Sequence, residues 1–277
     1  MNKPIGVFDS GIGGLSVLQE LVKLLPEENY LYVADQLHVP YGQRSREEIR
    51  YFSKVITQFL LDQGAKIIVV ACNTATGAAL NWLRDKFPET QFVGMEPAVK
   101  PAASKSRTGI IGVLATEGTI KSDRYISLKT RFGMGIEVLE DSCKGLVPLI
   151  EGGENDEAIK ALLNTVLEPM ISKGVDNLVL GCTHYPFIEK HLIELLPDDV
   201  DVINPAPAVA RQTRNVLANH HQLGKGALSV RFFSTGNQAH LQNQVKILIP
   251  DTLEQIQQAT FENFPADLFT DVPTDYL

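Results

Sequence analysis

The sequence predicts an α/β fold made of two pseudo-symmetric domains, each a mainly parallel sheet flanked by helices, with the active site in the cleft between them. Three observations support this fold class. Strand-like runs alternate with amphipathic stretches, two pairs of segments recur at nearly one separation, and proline-rich segments stand where the chain would cross between halves. With 277 residues, the chain is long enough for two such domains.

The alternation is the first observation, because each short apolar run precedes a stretch with helical periodicity. The predicted pairs of strand and helix are 5–8 with 15–25, 30–33 with 46–63, and 67–71 with 76–87. Further strand-like runs follow at 110–114, 177–180 and 200–203. This order is typical of a parallel sheet, since each return to the same edge needs a crossover connection.

An internal repeat is the second observation. Residues 6–11 resemble residues 112–117, and residues 68–74 resemble residues 178–184, so the two pairs have nearly the same separation. Two agreeing separations indicate two related α/β halves.

The third observation is the pair of proline-rich segments, Glu96-Pro97-Ala98-Val99-Lys100-Pro101 and Asn204-Pro205-Ala206-Pro207. Proline favours extended connections, so both are candidate crossings. We therefore predict a discontinuous first domain of residues 1–96 plus 206–277 and a second domain of residues 97–205. The C-terminal remainder is too short for a third core and is expected to rejoin the first domain.

Composition and charge argue against nucleic acid or a membrane as a partner. Asp and Glu number 33 against 25 Lys and Arg, which gives a net charge of −8, and no Lys/Arg-rich run could neutralise phosphates. No signal-peptide core or membrane-spanning run is visible. Three cysteines without a Cys-x-x-Cys pair do not suit a disulfide framework. We expect reduced thiols and a cytoplasmic protein.

Two of the cysteines, Cys72 and Cys182, each follow a strand-like run directly. In a parallel α/β sheet, ligands bind beyond the carboxyl ends of the strands, so both thiols are expected at that edge. Small polar residues follow each of them, Asn73-Thr74 and Thr183-His184, and could help to bind a carboxylate at a helix start. Inert packing is the competing interpretation for a buried cysteine, and we assign it to Cys143.

A pair of facing thiols suits a reaction with two mirror-related faces. Removing a proton from an α-carbon on one face and returning it on the other inverts the centre, and it needs one acid/base group per face. A thiol can fill either role if a helix N-terminus or a cation lowers its pKa. No lysine motif for pyridoxal phosphate is evident.

The glycine-rich loop of residues 9–14 fits neither a dinucleotide fingerprint nor a P-loop. Its glycines would let the backbone turn toward a small ligand, and Asp9 could orient a thiol or bind an ammonium group. Helix capping by Asp9 or Ser10 is the alternative. His184 and Glu151 are candidates to assist Cys182, and a surface or satisfied core role is the alternative for each. Zinc binding by Cys182 and His184 is a further alternative, but the spacing offers no third or fourth ligand.

Four ordered motifs together resemble the motif set of bacterial glutamate racemases. They are Phe8-Asp9-Ser10-Gly11-Ile12-Gly13-Gly14-Leu15-Ser16, Val39-Pro40-Tyr41-Gly42, Ala71-Cys72-Asn73-Thr74-Ala75 and Gly181-Cys182-Thr183-His184-Tyr185-Pro186. The resemblance extends from about residue 5 to residue 211 of the sequence. Gln36 and Asn204 depart from the residues more common in the family at those positions.

The resemblance implies a cofactor-free isomerase with no metal, which interconverts L-glutamate and D-glutamate with two thiols and supplies D-glutamate for peptidoglycan. It also implies a homodimer. Cys72, with Asp9 beside it, would act on D-glutamate, and Cys182, assisted by His184 and Glu151, would act on L-glutamate. The implied contacts with the α-carboxylate and amine are Asn73, Thr74, Thr119 and Thr183. Those with the γ-carboxylate are Ser10, Tyr41 and Gly42.

Two alternatives remain at this point. An aspartate or hydantoin racemase of the same superfamily would share the cysteines but bind a shorter or cyclic substrate. A catalytically silent binding module would retain the fold without activity. The Pro40-Tyr41-Gly42 loop favours glutamate, and the presence of both cysteines with Asp9, Glu151 and His184 argues against a silent module.

Overall fold

The computed structural model describes residues 3–153 and 156–269. These residues form two compact units, which are described separately. The first contains the chain up to Met95 and again from Ala206, and the second extends from Glu96 to Pro205. The first boundary lies at the start of one proline-containing segment noted in the sequence, and the second lies within the other.

The N-terminal part of the first unit alternates strictly between strands and helices. Its strands are β1 (Ile5–Asp9), β2 (Asn29–Ala34), β3 (Ile67–Val70) and β4 (Phe92–Gly94), and its helices are α1 (Leu15–Leu24), α2 (Arg46–Asp62) and α3 (Asn73–Lys86). Helix α2 begins at a capping box, in which Ser45 Oγ accepts from Glu48 N at 3.2 Å and the Glu48 carboxylate accepts from Ser45 N at 2.8 Å.

The second unit repeats the alternation. Its helices are α4 (Val99–Lys105), α5 (Glu117–Ile120), α6 (Asp123–Phe132), α7 (Leu146–Gly152), α8 (Asp156–Ser172) and α9 (Glu189–Leu195). Its strands are β5 (Ile110–Leu114), β6 (Glu137–Asp141), β7 (Asn177–Leu180) and β8 (Asp201–Ile203).

The chain then returns to the first unit. This last segment contributes α10 (Ala206–Asn219), β9 (Ser229–Ser234), α11 (Gln238–Leu248), α12 (Pro250–Gln255) and β10 (Gln258–Asn263). Strand β9 pairs with β2, starting from Asn29 opposite Ser229, and β10 pairs with β9. The segment therefore extends the first sheet by two strands.

Both sheets are parallel throughout the described residues, and the predicted fold class is confirmed. The first sheet has the order β10-β9-β2-β1-β3-β4 and the second has the order β6-β5-β7-β8. The last four strands in the order of the first sheet, β2-β1-β3-β4, thus follow the same order as the four strands of the second. None of the described helices is both long and apolar enough to cross a bilayer.

The repeated glycines of the sequence occupy equivalent packing positions. A Cβ added at Gly6 would lie 2.9 Å from Ile68 Cδ1 and 3.1 Å from Ala65 Cβ. A Cβ added at Gly112 would lie 2.7 Å from Leu178 Cδ1, and its next neighbours again include the residue two positions before the third strand, here Val175. In each unit, glycine in the first strand makes room for the side chain opposite it on the third strand.

A buried ion pair connects separate parts of the first unit, away from the carboxyl edge of its sheet. Lys66 Nζ lies 2.6 Å from Glu28 Oε2, with only 5% and 2% of the two side chains exposed. The Glu28 carboxylate also accepts from Gly224 N, and Lys66 donates to the Gln222 carbonyl at 2.7 Å. This cluster joins the starts of β2 and β3 to the turn after α10.

Candidate active site

Cys72 lies at the carboxyl edge of the first sheet, two residues after β3. It is the N-cap of α3, with an extended backbone and a sulfur that accepts from Ala75 N at 3.4 Å. The helix therefore begins at Asn73, three residues earlier than the sequence pattern predicted. The positive end of the helix dipole and a backbone N–H both favour negative charge on this sulfur.

The groups around Cys72 come from the loop after β1. The thiol of Cys72 lies 3.8 Å from Ser10 Oγ and can donate to it. Asp9 ends β1, is fully buried, and accepts from Gly11 N at 2.9 Å. The thiol is thus beside the Ser10 hydroxyl and on the same sheet edge as the Asp9 carboxylate.

Gly14 is needed in this loop because neighbouring side chains approach its Cα closely, and not because its backbone angles are unusual. Its φ is −63°, which any residue adopts. A Cβ here would lie 2.6 Å from the Asp9 Cβ and 2.9 Å from the Tyr32 hydroxyl. The absent side chain lets the start of α1 pack against Asp9.

Asn73 is the first residue of α3 and has an unsatisfied side chain. It is 4% exposed, and neither its amide nitrogen nor its carbonyl oxygen has a hydrogen-bond partner. A buried polar group without partners is costly, and such groups concentrate at binding sites. Thr74, next to it, is also buried.

Tyr41 and Gly42 lie in a short 3₁₀ helix, Tyr41–Gln43, after a cis peptide bond between Val39 and Pro40. The Tyr41 hydroxyl donates to Asp35 Oδ2 at 2.5 Å. Burial and then the Asp35 carboxylate raise the pKa of Tyr41 well above its usual range, with smaller contributions from Cys72 and Asp9. The phenol is therefore neutral.

Asp35 is a functional candidate that the sequence reasoning missed. It follows β2 directly, is fully buried, and accepts from the side chains of Tyr41, His38 and Thr235. Its backbone N–H donates to Asp9 O at 3.0 Å, so the two acids are neighbours on the sheet edge. An acidic residue directly after a strand-like run was the only sequence signal for Asp35. Its contact with Thr235 left no signal, because the two residues are far apart in the sequence.

Cys182 occupies the equivalent place in the second unit, two residues after β7, and is 6% exposed. Its sulfur lies 3.6 Å from His184 Nδ1, and His184 Nε2 lies 2.7 Å from Glu151 Oε1. Glu151 lies in α7. The structure thus brings together the three residues that were predicted to cooperate, in the order thiol, imidazole and carboxylate.

The charge of His184 follows from these contacts. Burial by itself would lower the pKa of His184, but hydrogen bonds to Cys182 and Glu151 outweigh burial and hold this pKa well above its usual range. A protonated imidazole donates from both nitrogens, so His184 can stabilise a thiolate on Cys182 while Glu151 accepts from its other side.

The predicted threonines are buried in the second unit. Thr183 follows Cys182 and is 2% exposed, and Thr119 in α5 is 1% exposed. The hydroxyl oxygens of Thr119 and Thr116 are 3.1 Å apart and hydrogen-bonded to each other.

Cys143 also lies at this edge of the second sheet, after β6, in a left-handed backbone conformation with φ 46°. Its N–H donates to Asp141 Oδ1 at 2.7 Å. Burial, with a contribution from Asp141, raises the pKa of the Cys143 thiol far above its usual range. A neutral thiol is a poor base, which agrees with a packing role.

The carboxyl edges of the two sheets have the same arrangement of residues. Each sheet presents a buried cysteine after its third strand, with groups beside the sulfur that can accept or donate a proton. Such groups suit proton transfer at carbon. Among the described residues there is no group of three or more His, Cys, Asp and Glu that could bind a metal ion.

Comparison with known proteins gives one family. The sequence profile of the Asp/Glu/hydantoin racemase family matches residues 5–213. The chain is 48% identical to the glutamate racemase of Stutzerimonas stutzeri strain A1501 over 246 residues, which cover 88% of this chain and 93% of that protein.

Solved structures agree with the sequence comparison. Glutamate racemase isoform RacE1 from Bacillus anthracis superposes with a TM-score of 0.83 at 32% identity, covering 93% of this chain and 97% of that one. The glutamate racemase of Francisella tularensis in complex with D-glutamate gives a TM-score of 0.81 at 30% identity, covering 96% and 98%.

Proposed function

Because this chain belongs to the Asp/Glu/hydantoin racemase family, we propose that it is an isomerase that interconverts L-glutamate and D-glutamate. The proposed reaction uses two cysteine thiols and no cofactor. Relatives that are about half identical over most of the chain are named glutamate racemases, and a structural relative is described with D-glutamate bound.

The observation that carries the proposal is the matching placement of Cys72 and Cys182. Each follows the third strand of its unit, and the strands β2-β1-β3-β4 of the first sheet have the same order as the four strands of the second. Inversion at a carbon centre requires one acid/base group for each face, and the chain supplies one from each unit.

In the proposed reaction, the Cys72 thiolate removes the α-proton of D-glutamate and the Cys182 thiol donates a proton to the opposite face. The product is L-glutamate, and the two sulfurs have exchanged protonation states. The reverse reaction begins at Cys182, whose thiolate is stabilised by protonated His184. Asp9 lies on the Cys72 side and is the proposed partner of the substrate ammonium group or of the thiol.

Substrate binding is proposed at the polar groups of both edges. The unsatisfied side chain of Asn73, together with Thr74, Thr119 and Thr183, would bind the α-carboxylate and amine. Ser10, Tyr41 and Gly42 would bind the γ-carboxylate. The buried amide of Asn73 supports this assignment because a bound polar group would satisfy it.

Circular dichroism of L-glutamate and of L-aspartate, each incubated with the purified enzyme, tests the proposal. Loss of signal with glutamate, after dialysis against chelator and hydroxylamine, is the expected result. Loss of signal with aspartate alone would indicate an aspartate racemase. Constant signals with both would indicate a binding module without activity, and activity that returned only with an added cofactor would exclude the two-thiol reaction.

Ser10→Ala should raise the KM for glutamate by roughly tenfold to a hundredfold, because a hydrogen bond to a charged group contributes about 1.5 to 3 kcal/mol. Steady-state kinetics with glutamate and with aspartate measures the effect. The shorter substrate should respond less. Since Ser10 also lies beside the Cys72 sulfur, equal effects on both substrates would assign it to the thiol instead.

His184→Asn should lower kcat/KM for both enantiomers equally, by roughly a hundredfold, because their equilibrium constant is one and general acid–base groups contribute at least that much. The asymmetry should appear in the isotope effect of α-deuterated substrate. As the step at Cys182 becomes limiting, this effect should grow for L-glutamate and shrink for D-glutamate. A larger isotope effect for D-glutamate instead would indicate that His184 assists the proton transfer at Cys72.

We further propose that the enzyme supplies D-glutamate for peptidoglycan, acts in the cytoplasm, and forms a homodimer. None of the three cysteines forms a disulfide bond, which suits a reducing compartment. Mass measurement in solution checks the dimer, and depletion of the protein in its host should cause a requirement for D-glutamate.

A further inference from the structure

The geometry assigns to Asp35 a positioning role: it fixes the segment of residues 37–44, which carries Tyr41 and Gly42. We name this segment the distal loop. The substrate consequence rests on the proposed function, in which the distal loop binds the γ-carboxylate. The structural consequence does not rest on it.

Asp35 is placed rigidly by the sheet itself. Its N–H donates to Asp9 O at 3.0 Å, which continues the pairing of β1 with β2 one residue beyond the end of β2. Its side chain is fully buried. The carboxylate is therefore a fixed point from which the loop that follows can be held.

Three separate contacts join the distal loop to this point. The Tyr41 hydroxyl donates to Asp35 Oδ2 at 2.5 Å, and His38 Nδ1 lies 2.8 Å from Oδ1. Thr235 Oγ1 donates to Oδ1 at 2.7 Å and accepts from Leu37 N at 3.0 Å. One carboxylate thus positions the loop at its beginning, at its second residue and at the tyrosine.

The contacts also determine which group accepts the proton of the Tyr41 hydroxyl. Because the Tyr41 hydroxyl gives its proton to Asp35, it presents lone pairs to its other neighbours. An anionic γ-carboxylate therefore gains no donor from this phenol. Tyr41 contributes to substrate binding by placing the loop backbone, and Asp35 determines where that backbone lies.

Aromatic packing also anchors the distal loop. The His38 ring stacks on Phe52 of α2 with centroids 3.8 Å apart, and its edge contacts Phe269 at 4.9 Å. Thr235 and Phe269 both belong to the returning C-terminal segment. The distal loop is thus fixed between α2 and the last part of the first unit.

The test compares Asp35→Asn with Asp85→Asn, which removes an exposed carboxylate on α3 of the same unit. Asp35→Asn should raise the KM for glutamate about tenfold or more and change kcat less than about threefold, because the chemical groups are untouched. Thr235→Val should act in the same direction, and Thr235→Ser, which keeps the hydroxyl, should recover most of the loss. A fall in kcat at constant KM would overturn the assignment.

A double-mutant cycle tests whether the effect of Asp35→Asn comes from losing its hydrogen bond with Tyr41 or from a change elsewhere in the protein. Tyr41→Phe and Asp35→Asn remove the two ends of one hydrogen bond, so their effects on KM should be far from multiplicative. Multiplicative effects would show that the two residues act independently and would overturn the inference.

Hydrogen–deuterium exchange decides the structural consequence without any activity. Asp35→Asn should accelerate exchange in peptides that contain the distal loop and leave peptides from α7 and α8 unchanged. Unchanged exchange in the distal loop, or acceleration throughout the protein, would contradict a positioning role. Should the wild-type protein fail to racemise glutamate, the proposed function fails and this measurement still decides the role of Asp35.

Discussion

Cys72→Ser and Cys182→Ser should each reduce racemisation in both directions by at least about a thousandfold. A serine hydroxyl is a far weaker acid than a thiol, so it cannot replace the base on its face of the α-carbon. Circular dichroism with either enantiomer of glutamate measures the loss. Cys143→Ser is the matched control, since it makes the same exchange of sulfur for oxygen at a neutral, buried thiol.

The two variants should differ in a half reaction. With a glutamate analogue that carries a leaving group on the β-carbon, elimination needs only the first proton abstraction. Cys72→Ser should still eliminate from the L-analogue through Cys182, and Cys182→Ser should still eliminate from the D-analogue through Cys72. A shared preference for one enantiomer, or loss of activity in Cys143→Ser alone, would refute the assignment of the two faces.

Glu28→Gln should lower the free energy of unfolding by about 3 to 5 kcal/mol, because it removes the carboxylate that neutralises the buried Lys66 ammonium. Glutamine still accepts from Gly224 N, so the loss reports the ion pair rather than the backbone contact. Urea unfolding followed by fluorescence and by circular dichroism measures it.

The control is an exposed pair of similar geometry. Lys173 Nζ lies 2.9 Å from Glu137 Oε1, with about half of each side chain exposed, and Lys173→Met should cost less than about 1 kcal/mol. Adding Lys66→Met to Glu28→Gln should recover part of the stability, because it removes the buried positive charge that has lost its neutralising carboxylate. Equal losses for the buried and exposed pairs would contradict the expected role of burial.

Most of the fold was readable from the sequence because burial and periodicity specify parallel strands strongly. The runs 110–114 and 177–180 are β5 and β7 without any shift. Among the predicted elements, the largest difference in bounds is the start of α3, where the sequence pattern gave residue 76 and the helix begins at Asn73. A cysteine sulfur serves as the cap there, and capping statistics favour oxygen side chains. Strands β4, β6, β9 and β10 were not predicted.

The candidate site could be predicted only in part from the sequence, for a physical reason. Glu151, His184 and Cys182 could be grouped because a known chemistry needs a thiol, an imidazole and a carboxylate. Asp35 could not be grouped with Thr235, since nothing in the local pattern shows that β9 pairs with β2. Side chains that meet only through the sheet pairing of distant segments leave no local signal.

The discontinuity of the first unit also determines the order in which the two units can fold during synthesis. Strand β2 waits for β9, its neighbour in the sheet, until the ribosome has made all of the second unit. The second unit is continuous in sequence, so it can acquire its sheet on the nascent chain while the first sheet still has an open edge. We therefore expect the unit that begins later to finish folding first, with the edge of β2 as the surface that a chaperone has to protect.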